Sequence, residues 1–539
     1  MIRRTLCFLI LATIVAVPAL AQQHEHAAQP AERLGKVTFE VSCPPEVRAD
    51  FSRGVALLHS FWYAAAIEQF NDVGKRAPSC AMVHWGVAMG IWGNPLGGTR
   101  TPETLSRGRA VAQRGLTASN VTPRERDYIA AVNALYGDSD TTPQPARALA
   151  YEEKMAALAA AYPKDSEASV FYAIALVAAA SPTDQTYAKQ LKAAGILEQV
   201  FTTQPDHPGI THYLIHAYDY PKLADKGLAA ARRYASIAPD APHALHMPSH
   251  VFTRVGAWQD SIDSNKASAA AAKKANSAAE ELHAMDYQVY ANLQLARDDE
   301  AKRLLAETES ILARVDAGSG YGLAGFFGAN AIPARVALER GAWEEAAKLT
   351  VRPGSFPHTE AMTWFAKAIG AARSGSFDAA REYLAKLTPL HDALVAKNEA
   401  YWAGQVAIQR KAADGVIRFH EASRSGASTV EALRLLSEAA DAEDATEKSP
   451  VTPGTLAPAR ELYAESLFFA RRFTEALAEF ERTMTREPGR FRSIAGAMTA
   501  AQGSGNPAKA KKYATDLLAL AKTAAPGRPQ IAAAQNLVK

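Results

Sequence analysis

The sequence predicts an all-α fold, a right-handed α-solenoid of antiparallel helix pairs. Alanine is abundant and runs of β-branched residues are rare, a composition that favours helices. Small residues recur at a fixed interval: Ala346 and Ala380 are 34 residues apart, and so are Ala476 and Ala510. Proline follows the second helix of a pair, as Pro78 does, and ends it because proline has no N–H to donate.

The repeat is clearest near the two ends of the chain. At the N-terminal end it comprises Gly54, Phe61, Tyr63, Ala66, Phe70 and Pro78. The corresponding C-terminal residues are Ala464, Phe473, Ala476, Phe480 and Pro488. A turn of glycine, then an aromatic, then a small residue recurs at Gly256/Trp258/Ser261, Gly341/Trp343/Ala346 and Gly375/Phe377/Ala380.

These offsets and the 34-residue interval resemble the tetratricopeptide repeat. Small side chains let two antiparallel helices approach closely, and aromatic rings fill the space that remains. One helix pair cannot bury its apolar stripe alone, so the pairs stack on their neighbours. The resemblance therefore implies a superhelix with a concave groove, and proteins of this class generally bind peptides or partner proteins there.

The first residues predict export. Arg3 and Arg4 precede an apolar run over residues 6–17, and the small-residue site Ala19-Leu20-Ala21 follows. This order is typical of a Sec signal peptide, and the run is too short to span a bilayer. We expect cleavage after Ala21 and a mature protein that is periplasmic or secreted.

Composition divides the chain into five segments. They are a signal peptide (1–21), a flexible N-terminal segment (22–45), a solenoid (46–437), a linker (438–457) and a C-terminal repeat pair (458–539). The linker is expected because its sequence is charged and then proline-rich. The solenoid contains a histidine-rich block over residues 207–290.

The net charge bears on the class of partner, and the cysteine content bears on the possible disulfide. A formal net charge of +3 over 539 residues does not indicate a nucleic-acid partner. Cleavage after Ala21 would leave two cysteines, Cys43 and Cys80, which flank the first predicted helix pair. In an oxidising compartment they could form a disulfide, although two separate thiols fit the sequence nearly as well.

Seven of the fourteen histidines lie in the block 207–290. They are His207, His212, His216, His243, His246, His250 and His283. His212 and His216 share a helix face because they are four residues apart. The resemblance to tetratricopeptide repeats implies that the groove side of successive first helices carries His243, His246, His250, His283 and Asp286. We therefore expect imidazoles from three helix pairs to converge with a carboxylate.

Neutral imidazoles with a nearby carboxylate suit zinc, copper, nickel or non-haem iron. The predicted primary metal ligands are His243, His246, His250, His283 and Asp286. His212 and His216 form a second site or an outer shell together with Asp219. The alternative is that these histidines pack against aromatic rings, cap helix carbonyls or bind a peptide.

Four segments together look like a family of exported bacterial tetratricopeptide-repeat proteins: residues 57–63, 84–89, 212–219 and 243–254. The family's specific motif is His246-Met247-Pro248-Ser249-His250. The resemblance covers most of the first 300 residues, and it implies a fold and a compartment but no reaction.

Three functions remain open from the sequence. The first is a solenoid that binds a peptide, a protein or a small polar ligand in its groove, with a transition metal held by the histidine block. The second is a metal-dependent hydrolase or oxygenase with its active site in the same groove. The third is a metal-free scaffold for protein–protein interaction. Glu281, Asp219 and Tyr287 are the candidate acid–base groups for the enzyme.

Overall fold

The computed structural model describes residues 32–137, 140–316, 322–354 and 356–539, and every regular element in these ranges is a helix. The predicted signal peptide and residues 22–31 lie outside the described residues. A short 3₁₀ helix, Pro45–Val47, comes first. The α-helices of the first half are α1 (Arg48–His59), α2 (Tyr63–Arg76), α3 (Met82–Trp92), α4 (Pro102–Thr117), α5 (Pro123–Tyr136), α6 (Gln144–Ala161), α7 (Ser166–Ala178), α8 (Ala188–Phe201), α9 (Pro208–Tyr218), α10 (Ala224–Ile237), α11 (Pro242–His246), α12 (Pro248–Arg254), α13 (Trp258–Lys274) and α14 (Ala278–Gln294).

The second half continues the same pattern. Its helices are α15 (Asp298–Leu312), α16 (Gly322–Glu339), α17 (Trp343–Ala347), α18 (Pro357–Arg373), α19 (Phe377–Ala385), α20 (Leu387–Ala396), α21 (Ala400–Ser425), α22 (Val430–Asp444), α23 (Ala459–Phe469), α24 (Phe473–Arg486), α25 (Phe491–Gly503), α26 (Pro507–Leu520) and α27 (Pro529–Val538). Most helices pack on the helices that precede and follow them or on the next helix but one, so the chain is an all-α solenoid of tetratricopeptide-like pairs.

The predicted turns share one backbone conformation. Gly256, Gly341 and Gly375 have φ of 72°, 67° and 82°, in the left-handed region that glycine adopts without strain. In each case a helix begins two residues later, at the aromatic residue of the turn signature. Phe61 and Arg471, at φ of 54° and 61°, occupy the same turn without a glycine.

Close helix approach explains the small residues of the repeat. The ring of Phe70 lies between two glycines of neighbouring helices, Gly54 on α1 and Gly86 on α3. A Cβ atom added to Gly54 would come within 2.7 Å of this ring, and one added to Gly86 within 2.6 Å. The aromatic ring therefore occupies the volume that a larger residue at either position would need.

Two contacts between distant helices position the functional site. α1 packs on α9, and α14 packs on α25. Because α9 carries His212 and His216, the first contact places the C-terminal end of α1 against the histidine block. Packing of distant helices around the block leaves its residues buried rather than open to the solvent.

The segment predicted as a linker, residues 438–457, begins within α22, which ends at Asp444. After α22 the chain is irregular as far as residue 458, yet Glu447, Lys448 and Thr452 have buried side chains. This irregular segment packs into the protein interior beside the histidine block, because Lys448 lies 3.4 Å from Asp219.

Two further features bear on the expectations from the sequence. The Sγ atoms of Cys43 and Cys80 are bonded in the structure, and both cysteines are buried. Among the described residues, no helix has the length and apolar character that crossing a bilayer requires.

The packing around Phe70 generates a first prediction. Gly54→Ala should lower the free energy of unfolding by about 1–3 kcal/mol, because the added methyl group overpacks the ring. Gly195→Ala is the matched control, since a Cβ atom at this position of α8 meets nothing within 4 Å. The control should raise stability by up to about 1 kcal/mol, because alanine favours the helix. Urea unfolding of both variants measures the difference, and equal effects would contradict the packing.

Candidate metal centre

The first group of histidines comes from α9 and α11. Pro208 occupies the first turn of α9, where its missing N–H costs no hydrogen bond. His212 and His216 follow on one face of this helix, and His243 comes from the first turn of α11. The Nε2 atom of His212 lies 3.1 Å from Nε2 of His216 and 3.2 Å from Nε2 of His243. We call His212, His216 and His243 the first triad.

The second group comes from α11, α12 and α14. Pro248 separates α11 from α12, and His246 and His250 lie on either side of this break. Their Nε2 atoms are 2.9 Å apart. The ring of His283, from the first turns of α14, lies with its centroid 4.3 Å from that of His246. We call His246, His250 and His283 the second triad.

The two triads are adjacent, and both are buried. In each triad, one ligand atom per histidine lies within 4.8 Å of the others. The ring centroids of His216 and His250, which belong to different triads, are 5.8 Å apart, and those of His243 and His246 are 5.9 Å apart. The most exposed of the six residues is His283, at 7%. Six imidazoles therefore share one interior region.

Hydrogen bonds to Nδ1 fix the tautomers in the second triad. His250 Nδ1 lies 2.9 Å from Oδ2 of Asp219, which as a carboxylate only accepts. His246 Nδ1 lies 2.7 Å from Oδ1 of Asn265, and the amide of Asn265 is oriented because its Nδ2 donates to the carbonyl of Ser261. Both Nδ1 atoms therefore carry the proton, and both Nε2 atoms present lone pairs.

The first triad has the same arrangement at one of its rings. His212 Nδ1 donates to the carbonyl oxygen of His59 over 2.6 Å, so its Nε2 presents a lone pair to His216 and His243. The carbonyl of His59 belongs to the C-terminal end of α1, where the helix dipole is negative and favours cations.

Burial keeps these rings neutral. It lowers the pKa of His212 and of His283 to about 3. Burial also lowers the pKa values of His216, His243 and His246 well below the ordinary range, with neighbouring histidines adding to the effect. A neutral imidazole with a free Nε2 is the form that binds a metal ion.

The distances between Nε2 atoms in the first triad are close to those between two ligands of one tetrahedral metal ion. Bond lengths of about 2.0–2.1 Å from zinc to histidine nitrogen imply a tetrahedral edge of about 3.3–3.4 Å. The Nε2 separations in the first triad, 3.1 and 3.2 Å, are close to this edge. At 2.9 Å, the two lone pairs of His246 and His250 repel each other unless a cation lies between them.

Charged residues surround the second triad without entering it. Asp219 accepts from Arg254 Nε over 2.8 Å and from Lys448 Nζ over 3.4 Å, in addition to His250. Burial by itself raises the pKa of Asp219, but the charges of Lys448 and Arg254 outweigh it and hold the pKa well below its ordinary value. Burial lowers the pKa of Lys448 to about 8.

Not every residue predicted as a ligand lies in a triad. Asp286 is buried, but its carboxylate binds Arg335, with Oδ1 at 2.7 Å from Nε. It therefore serves a buried ion pair, and neither triad contains a carboxylate. His243, predicted to act with His246 and His250, lies instead with His212 and His216.

The candidate acid–base groups also have partners. Tyr287 is 3.5 Å from Nε2 of His250, but its hydroxyl donates to the carbonyl of Pro450 over 2.9 Å. Glu281 pairs with Arg314 at 2.6 Å. Asp219 orients His250 and is not available as a base. Lys448, which contacts Asp219, is a titratable group beside the second triad that the sequence did not single out.

A third histidine cluster contacts the first triad. His59 Nε2 and His207 Nε2 lie 2.9 and 2.8 Å from the two carboxylate oxygens of Glu167. Burial raises the pKa of Glu167, but the two histidines outweigh it and bring the pKa to about 2. The spacing of this cluster could hold an ion, but both carboxylate oxygens of Glu167 already have imidazole partners. His59 Nδ1 also pairs with the Tyr213 hydroxyl at 2.9 Å, whereas His207 Nδ1 is buried without a protein partner.

Sequence reasoning missed the residues that hold the rings in place. Asn265 lies on α13 among small residues, and Lys448 lies in the segment predicted as a linker, so neither has a local signal. Arg254 follows the histidine motif by four residues, and this spacing on one helix could have suggested it.

The contrast between the triads and the Glu167 cluster generates a second prediction. His283 Nδ1 is buried without a protein hydrogen-bond partner. In EDTA-treated protein, His283→Leu should therefore raise the free energy of unfolding by about 1–2 kcal/mol. His59→Leu should lower it by about 3 kcal/mol, because Glu167 loses one of its two partners. Urea unfolding of both variants checks the opposite signs, and a loss of stability in His283→Leu would contradict the account.

No protein-family model matches the sequence, and no curated protein matches it. Among solved structures, similar chains include the human IFIT1 dimer with m7Gppp-AAAA, at 13% identity and a TM-score of 0.34, with 82% of this chain and 90% of that chain covered. Another is the Cut9–Hcn1 hetero-tetramer of the APC/C, at 9% identity and a TM-score of 0.29, with 92% and 96% covered. At such scores the likenesses support no conclusion about function.

Proposed function

We propose that this solenoid is a metalloprotein that holds one transition-metal ion in each histidine triad. The observation that carries the proposal is the 2.9 Å separation of two Nε2 lone pairs, those of His246 and His250. Asp219 and Asn265 fix both tautomers, so no hydrogen bond can join these atoms while both rings are neutral. A cation bound by both nitrogens converts their repulsion into coordination.

Copper and zinc are the ions that the ligands favour. The triads offer imidazole nitrogen alone, which suits both ions, and copper(II) stands above zinc in intrinsic affinity. Non-haem iron typically binds two histidines and one carboxylate, and neither triad contains a carboxylate, because Asp286 pairs with Arg335. In the cluster of His59, Glu167 and His207, both imidazoles are hydrogen-bonded to the carboxylate. We therefore place iron behind copper and zinc.

The partner of the metal is a small molecule rather than a peptide. All six rings are buried, at 7% exposure or less, so an extended chain lying in a surface groove would not reach an ion bound to them. Each triad supplies three protein ligands, which leaves a fourth tetrahedral position for a small ligand or water.

A metal-dependent enzyme is the second candidate, and the same open position favours it. Lys448 would be the nearby proton donor, since burial brings its pKa to about 8 and it bonds to the Asp219 that orients His250. Binding of azide to the copper(II)-loaded protein, followed by its visible spectrum, would show whether a coordination position is accessible.

The proposal also includes export of the protein. The predicted signal peptide would place the chain in the periplasm or outside the cell, and a bonded Cys43–Cys80 pair is consistent with an oxidising compartment. The three cysteines of the full sequence allow this to be tested with the native protein.

The metal content of untagged protein is the third prediction. After equilibration with copper or zinc and gel filtration, elemental analysis should find two ions per chain. His216→Leu and His246→Leu should each lose one ion, because each removes a ligand from a different triad. His391→Ala is the matched control, since His391 lies outside the triads on α20 and pairs with Asp392. Less than about 0.1 ion per chain in the wild type would refute the proposal.

The thiol count of exported protein is the fourth prediction. When the mature chain is denatured without reductant, a thiol reagent should modify none of its residues. After reduction, the reagent should modify two residues, Cys43 and Cys80. Removal of the signal peptide eliminates Cys7, and the disulfide protects Cys43 and Cys80. One reactive thiol before reduction would mean that Cys7 is retained, and two would mean that the disulfide is absent.

A further inference from the structure

A second interior feature lies apart from the triads. Helices α18 and α21 and the irregular segment after α22 line a partly open cavity. One wall is apolar and aromatic, and it is formed by Phe327, Met362, Phe365, Tyr401 and Trp402. Such a wall fits the body of an aromatic or other apolar molecule.

Polar atoms at this cavity lack protein partners. His358 is 6% exposed and stacks on Trp402, with ring centroids 4.0 Å apart and planes at 5°. Both of its ring nitrogens are buried without a hydrogen-bond partner, and so is Oε1 of Gln409. Buried polar groups are rarely left without a partner, because each costs free energy. A neutral imidazole both donates and accepts, so a ligand hydroxyl would suit it.

The charge of the lining is positive. Burial raises the pKa of Glu443 to about 8, so this carboxyl carries its proton at neutral pH. Burial brings the pKa of His358 to about 3, so this ring is neutral. Lys448, with a pKa of about 8, is then the one charged group among the residues that line the cavity in the described part of the chain. Its ammonium has three N–H groups, and Asp219 takes one of them.

The position of Lys448 defines one end of the cavity. Lys448, Glu443 and Gln405 also line a second, partly open cavity, so this end of the first cavity faces the second. Lys448 reaches His250 through Asp219, by contacts of 3.4 and 2.9 Å. A ligand bound to Lys448 would therefore lie three hydrogen bonds from the second triad.

We propose that this cavity binds a small aromatic hydroxy acid. The carboxylate pairs with Lys448, the ring packs against Phe365 and Trp402, and the hydroxyl bonds to His358 or Gln409. The site does not use the triads, so it binds its ligand with or without a metal ion.

Calorimetric titration of EDTA-treated protein tests the proposal with three probes. They are 4-hydroxybenzoate, the neutral 4-hydroxybenzyl alcohol and benzoate, which lacks the hydroxyl. We expect 4-hydroxybenzoate to bind at least about tenfold more tightly than either of the others, because the alcohol has no carboxylate for Lys448 and benzoate has no hydroxyl for His358 or Gln409. No binding of any probe at about 5 mM, or equal binding of the acid and the alcohol, would overturn the proposal.

Two variants test which residue binds the carboxylate of the ligand and which binds its hydroxyl. Lys448→Met should abolish the preference for the acid over the alcohol, while alcohol binding shows that the cavity is intact. His358→Phe should reduce the preference for 4-hydroxybenzoate over benzoate and keep the preference for the acid over the alcohol. His391→Ala, on α20 and outside the cavity lining, is the matched control and should behave as wild type. An unchanged acid preference in Lys448→Met would count against the proposal.

Discussion

The histidine block depends on one constraint: the Nδ1 atoms of three of its rings are bound by partners, so the Nε2 atoms of these rings face neighbouring imidazoles. Asp219 and Asn265 fix His250 and His246, and the carbonyl of His59 fixes His212. Each bond is made to an acceptor, which forces the proton onto Nδ1 and the lone pair onto Nε2. Such outer contacts raise ligand basicity and hold ring orientation at metal sites.

The solenoid is what makes this constraint possible. Stacked helix pairs bring α9, α11, α12 and α14 side by side, and the packing of α1 on α9 adds a helix end to the site. The irregular segment after α22 then contributes Lys448 next to Asp219. Burial by these elements keeps the imidazoles neutral. The fold and the protonation state of the rings therefore follow from the same packing.

The sequence predicts the fold well because the repeat residues are determined by local backbone conformation and by packing between neighbouring helices. Gly54 leaves room for the ring of Phe70, which is only 16 residues away in the sequence. Gly256, Gly341 and Gly375 adopt the left-handed backbone conformation that favours glycine. The residue type at each of these positions therefore indicates its local structure. The all-α solenoid is confirmed. The repeat register also brings six of the predicted ligand histidines into one region, since residues on the same side of successive helices become neighbours.

The division of ligands could not be predicted in the same way. Asp286 lies at a favourable register position, but Arg335, 49 residues later, binds its carboxylate. Which histidines form a triad depends on the break at Pro248 and on side-chain directions, which periodicity does not encode. Lys448 comes from a segment whose composition indicates a linker. Charge and proline content carry no information about tertiary burial, so the sequence does not show that the side chain of Lys448 is buried beside Asp219.

X-ray absorption spectroscopy of the copper- or zinc-loaded protein tests the central claim most directly, because it counts the imidazoles on each ion. We expect three histidine nitrogens per ion at about 2.0 Å, with one lighter non-protein ligand completing the sphere. An ion bound mainly by oxygen, or by one imidazole alone, would contradict the assignment of the triads as ligands.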